Sequence, residues 1–195
     1  MIRQIFKGVI MTLASLLSVT SALAEDDAAS YNKALTKTHS KIIKNYETVP
    51  HIDSEALSKM GPDEIILFDV REKDEYDVSH LEGAIWVDPD IDSSSFLQSY
   101  RDKIGNKTVI LYCSVGVRSS RLAEKLKQRN EPNTPATIYN LEKGIFGWHN
   151  EKRPLYHKAN TPQSSPTDYV HPYNYLWGRM VNRDELKRSE AASEE

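Results

Sequence analysis

The sequence predicts an α/β domain with a mostly parallel central sheet and helices on both faces, preceded by a helix and followed by a further extension. Three observations carry this. Short apolar runs alternate with polar or amphipathic helical stretches from His51 to about Leu155, and such alternation implies right-handed crossovers between parallel strands. The run "TVILYC", Thr108 to Cys113, is apolar nearly throughout, as a strand buried on both faces must be. Gly61-Pro62 and Gly105-Asn106 fall where helices must stop.

Taken in order, residues 30–46 place Leu35, Ile42, Ile43 and Tyr46 near helical spacing with His39 on the same side, an amphipathic helix that packs on the domain. "HID" is a short strand and Ser54 to Met60 a short helix. "EIILFDV" is a strand ending in charge, and "REKDEYDVSH" a polar helical turn or two. "GAIWV" is the next strand, followed by a helix through "SSSFLQSYRDKI". After "TVILYC" comes a helix from about Val117 to Arg129. "ATIYN" is the last strand, and Leu141 to Trp148 the last helix. "HKANTPQSSPTD" reads as a linker or surface strap. "YVHPYNYLWGRMV" is expected to pack back onto the domain, with Trp148, Tyr173, Tyr175 and Trp177 in core or lid roles, and the charged end to be mobile.

The first residues belong to none of this. "MIRQIFK" is basic, and the apolar stretch after it ends in Ala22-Leu23-Ala24, an A-x-A signature. Residues 1–24 are therefore expected to be a signal peptide cut after Ala24. The run from Val9 to Val19 is short for a membrane span, so no stable membrane insertion is expected after cleavage. The expected organisation is 1–24 leader, 25–50 helical extension, 51–156 main domain and 157–195 C-terminal extension, with a periplasmic or secreted destination. Loss of Arg3 and Lys7 leaves 23 basic against 28 acidic residues and moves the net charge from -3 to -5. No basic stripe with interleaved aromatics is present, which excludes a nucleic-acid partner. The six histidines lack ligand spacing, so no metal is expected.

Cys113 is the sole cysteine and cannot form an internal bridge, although the chain is read as exported to an oxidising compartment. A cysteine taken at random is a small buried hydrophobe. This one ends a buried strand, precedes Gly116, and leads into a helix. In open α/β sheets, function gathers at the carboxyl ends of strands. If "CSVGVRS" curls, its N–H groups form an anion nest, and the free donors of the helix's first turn add to it. That field favours the reactive thiolate. Arg118 strengthens it or grips an anionic substrate.

"CSVGVRS" resembles the C-x-x-G-x-R-S active-site loop of single-domain rhodaneses, which are sulfurtransferases. Asp69, Val70, Arg71, Glu75, Tyr76, His80, Gly83 and Ala84 resemble the family's D-V-R-x-x-x-E-Y-x-x-G-H-I-x-G-A segment. Leu141, Gly144 and Trp148 resemble its L-x-G-G-x-x-x-W ending. Three motifs in order span about His51 to Leu155. Ser79 and Lys143 stand where the family has glycines, both expected in surface turns.

The resemblance implies a rhodanese-like fold and an enzyme in which the Cys113 thiolate takes the outer sulfur of thiosulfate or a similar donor as a persulfide. The sulfur then passes to a thiol or cyanide, or to an acceptor protein. Amides of Ser114, Val115, Gly116, Val117, Arg118 and Ser119 would hold donor and persulfide, and Arg118 would orient the anion. Asp69 and Arg71 are supporting residues that either line the pocket or form an ion pair holding the loop. His80 is assigned to structure. No cofactor is implied.

Two rivals remain. A phosphatase or arsenate reductase on the same scaffold uses a longer loop than the four residues between Cys113 and Arg118. A sulfur-carrier, redox-sensing or partner-docking module keeps the cysteine without fast turnover.

Overall fold

Five strands lie side by side and all parallel. The computed structural model describes residues 30–129, 134–135, 137–157 and 165–182; the expected leader and the charged C-terminal end lie outside them. Helix α1 covers residues 30–45. There follow β1 (His51–Ile52), α2 (Ser54–Ser58), β2 (Ile65–Asp69), α3 (Lys73–Val78), β3 (Ile85–Trp86), α4 (Ser93–Ile104), β4 (Thr108–Tyr112), α5 (Val117–Arg129), β5 (Ile138–Leu141) and α6 (Gly144–Asn150). After these come β6 (Leu155–His157), β7 (Ser165–Thr167) and the single-turn α7 (Tyr175–Gly178). The sheet order is β1-β5-β4-β2-β3, so β4 sits at its centre.

The period-two alternation of β4 decides what each helix layer covers. Ile110 and Tyr112 face a core cluster with Leu35 and Ile42 of α1, Leu57 of α2, and Ile145 and Phe146 of α6. Val109, Leu111 and Cys113 face the opposite cluster, with Phe96 and Leu97 of α4 and Leu122, Ala123 and Leu126 of α5. Both faces are thus closed by helices, and the sheet buries an unbroken apolar strand at no cost in exposed surface. The helix starts are local in origin. Asp53 Oδ1 accepts from Ala56 N at 2.7 Å, and Asp92 Oδ1 accepts from Ser94 N and Ser95 N at 2.8 and 3.0 Å, satisfying donors that the first turn leaves free.

Helix α1 docks through Leu35, His39 and Ile42, all under a tenth exposed. Ile43, expected on the same side, is 43% exposed, because it lies about 100° around the helix from Ile42. Of the stretch expected to be a linker or strap, residues 158–164 lie outside the described ones; on either side of them the chain forms a small antiparallel pair, His157 opposite Ser165 and Leu155 opposite Thr167. The aromatic segment does pack back, but chiefly through Val170 and Val181, 2% and 0% exposed, with Trp177 and Met180 against the same cluster. Tyr175 is 88% exposed and not a core residue.

Candidate active site

The site forms where β4 ends and α5 begins. Cys113 is the residue after β4, and its alternation places the sulfur on the α4–α5 side, where the residue is 2% exposed. The chain then turns through Ser114, Val115 and Gly116 into α5. Gly116 adopts φ +105, a conformation that resists a side chain, and a Cβ there would also meet Asn140 Nδ2 at 3.0 Å. Its N–H donates to Cys113 Sγ at 3.1 Å.

The outward side of this loop is fixed by α6. Ile145 N donates to Cys113 O at 2.9 Å and Phe146 N to Ser114 O at 3.1 Å, so free donors of one helix start capture the loop carbonyls. In a trans peptide the N–H points opposite to its carbonyl. The amides of Ser114 and Val115 are therefore turned away from α6. Gly144 makes the approach possible: at φ +58, a Cβ there would lie 2.2 Å from Cys113 O. Lys143 just before it sits at φ +59, which accounts for glycine being usual at that place.

Side chains complete the frame. Ser114 Oγ donates to Glu75 Oε1 at 2.7 Å. Arg118 Nη2 donates to Glu75 Oε2 at 2.7 Å and to Ser114 Oγ at 3.2 Å, while its Nη1 donates to Glu72 Oε1 at 3.2 Å. Burial works against the charge of Arg118, yet the facing Cys113 sulfur and the two carboxylates raise its pKa above the ordinary value. Val115 is buried and Val117 half-buried. Ser119 is fully buried and donates to Asn140 Oδ1 at 2.5 Å; Asn140 Nδ2 meets His51 Nδ1 at 3.1 Å. Ile42 of α1 reaches the same place, its Cδ1 3.6 Å from where a Gly116 Cβ would be.

Asp69 and Arg71 form the ion pair, and neither side chain is exposed to a pocket, both being 0% exposed. Arg71 Nε lies 2.9 Å from Oδ1 and Nη2 2.6 Å from Oδ2, a bidentate fork, and Nη2 also donates to Ser79 O. Ser79 is 0% exposed and extended, not in a surface turn; its backbone is needed as the acceptor for Arg71. His80 is structural, stacked on Tyr76 at 4.1 Å with its N–H on Tyr156 O at 2.7 Å. Among the described residues no group of three or more His, Cys, Asp or Glu is placed to hold a metal ion.

The structure therefore gathers Cys113 and the whole predicted loop 114–119 in one place. It closes Asp69 and Arg71 into a fully buried ion pair and brings in Glu72, Glu75, Asn140 and Tyr173, none of which was predicted as a site residue. Glu75 carried a usable signal, since it stands in the D-V-R-x-x-x-E-Y segment. Tyr173, whose ring lies 5.0 Å from the Arg118 guanidinium carbon, was expected only in a core or lid role, with nothing in the sequence to pair it with Arg118.

The rhodanese-like domain family matches residues 53–151, which covers α2 through α6 and the entire cysteine loop. The chain belongs to the rhodanese-like family. It is similar to the thiosulfate sulfurtransferase GlpE of Coxiella burnetii, 28% identical over 104 residues, covering 53% of this chain and 87% of that protein. It is also similar to YqhL of Bacillus subtilis, 37% identical over 82 residues, covering 42% of this chain and 59% of that one. A thiosulfate sulfurtransferase structure from Pseudomonas aeruginosa overlays with a TM-score of 0.51 at 19% identity, covering 71% of this chain and a quarter, 25%, of its own length, a likeness of fold. α1 and the C-terminal segment carrying Tyr173 lie outside the matched segment.

Proposed function

We propose that this rhodanese-like domain is a sulfurtransferase acting through a persulfide on Cys113. The observation that carries the reading is the sole cysteine at the end of the central strand, its Sγ receiving the Gly116 N–H while α6 holds the loop carbonyls away. Such a loop stabilises negative charge on sulfur before and after transfer. With thiosulfate, the Cys113 thiolate attacks the outer sulfur; the Sγ–S bond forms, the S–S bond of the donor breaks, and sulfite leaves with the electron pair. A thiolate or cyanide then attacks the terminal sulfur and regenerates the Cys113 thiolate. The amides of residues 114–119 stabilise the charge, and Arg118, held by Glu72 and Glu75, orders the loop. The reading includes export to the periplasm or beyond through residues 1–24.

A second reading, a sulfur carrier that passes its sulfur to a partner protein without fast turnover, is favoured by the burial of Cys113, which is 2% exposed. One experiment tests both. After thiosulfate treatment, mass spectrometry should show one extra sulfur atom on the protein and none on Cys113→Ser, and cyanide should discharge it as thiocyanate. Loading with turnover supports the enzyme, and loading without turnover supports the carrier. A protein that stays unloaded across several donors refutes both.

A further inference from the structure

Arg118 is the one cation of the loop, and its bonds are already committed. Glu72 and Glu75 oppose it with two carboxylates at 3.2 and 2.7 Å, so the cluster carries one negative charge in excess. A doubly charged inorganic donor gains little from such an arginine. The Tyr173 ring covers the guanidinium at 5.0 Å and is itself 44% exposed, leaving apolar surface beside the only positive group of the loop. This placement is imposed. Tyr173 takes φ +64, rare for a residue with a side chain. Its N–H donates to His171 Nδ1 at 3.1 Å. The segment is pinned at both ends, by His149 Nε2 against Asp168 O at 3.1 Å and by Asn150 Nδ2 donating to Met180 O at 2.8 Å.

We infer that Tyr173 and Glu72 are specificity-determining residues of the Cys113 site, selecting a singly charged sulfane-sulfur donor with an apolar body over the dianion thiosulfate. Tyr173 supplies the surface for the apolar body, and Glu72 withdraws the positive charge a dianion would need. The inference rests on sulfur transfer at Cys113. For an organic thiosulfonate the step balances without a proton: the thiolate attacks the outer sulfur, the Sγ–S bond forms, the donor S–S bond breaks, and the sulfinate leaves with the electron pair.

Three donors separate charge from body: thiosulfate, methanethiosulfonate and benzenethiosulfonate, with cyanide as acceptor and thiocyanate release as readout. The intact protein should rank benzenethiosulfonate first and thiosulfate last, by about tenfold in kcat/KM, the size of one lost apolar contact together with one weak charge repulsion. Tyr173→Ala should raise KM for benzenethiosulfonate about fivefold and leave thiosulfate unchanged, whereas Tyr173→Phe, which keeps the ring, should retain the ranking. Glu72→Gln, a change at a half-exposed side chain, should raise kcat/KM for thiosulfate about fivefold. A wild-type protein that prefers thiosulfate, or a Tyr173→Ala protein altered equally toward all three donors, overturns the inference. If every donor loads Cys113 equally, this inference alone fails; if none loads it, the sulfurtransferase reading fails as well.

Discussion

Replacing Gly144 by alanine tests how the cysteine loop is held. Two costs combine at this position. A side chain at φ +58 costs about 1–2 kcal/mol. A methyl group 2.2 Å from Cys113 O and 2.7 Å from Ser114 O cannot be accommodated without moving backbone, and such overpacking costs about 1–3 kcal/mol. The expected loss is about 3 kcal/mol, with the Ile145 and Phe146 bonds to the loop carbonyls weakened. Gly83→Ala is the matched control: its φ is +70, but nothing lies within 4 Å of the added carbon, so only the backbone cost of about 1–2 kcal/mol remains. The gain from a stiffer unfolded chain is the same in both and cancels. Urea unfolding should therefore place Gly144→Ala about 2 kcal/mol below Gly83→Ala at an unchanged denaturant slope. Iodoacetamide should also alkylate Cys113 faster in Gly144→Ala alone. Equal destabilisation of the two variants, within about 0.5 kcal/mol, would refute the claim that α6 clamps the loop by close backbone contact.

Arg71→Met leaves the fully buried Asp69 carboxylate unpaired and should cost about 3–5 kcal/mol in urea unfolding; the double variant Asp69→Leu/Arg71→Met should recover much of that loss. A double variant no better than the single one would contradict the charge explanation. Ile42→Ala, which empties a contact between α1 and the Gly116 turn, should cost about 2–4 kcal/mol and also speed alkylation of Cys113; stability lost with no change in alkylation would separate α1 from the loop. Burial, then Lys143, lowers the pKa of His39 below its ordinary 6.5, and burial, then His39, lowers that of His51 against the opposing pull of Glu142. The unfolded chain binds these protons first, so stability is fully present above pH 6.5 and falls as pH drops below it toward the folded-state values. The urea midpoint should follow that course and flatten in His51→Asn, and a profile level through this window refutes it.

The strand order β1-β5-β4-β2-β3 came from the structure. Hydrophobic patterning was enough to place the strands and helices of the main domain along the chain and to expect a parallel sheet, because burial on two faces, a helix stripe or a helix stop is written within a few neighbouring residues. It placed Cys113 at the end of the central strand for the same reason, and the motif spacing marked the loop. It misplaced Ile43, the motif comparison put Ser79 in a surface turn where the structure has it extended and buried, and the stretch read as a linker or surface strap supplies the short strand Ser165–Thr167. Only the tertiary structure chose between a pocket-lining and an ion-paired Arg71, since the choice depends on a Ser79 carbonyl eight residues away and on complete exclusion of water. Likewise, Glu75 meets Ser114 across 39 residues and Arg118 across 43, and Tyr173 reaches Arg118 from beyond the matched domain. Contacts of that separation are fixed by how the helices and the C-terminal aromatic segment pack on the sheet. No local pattern of residue types encodes them, so the cysteine was legible in the sequence and the charges around it were not.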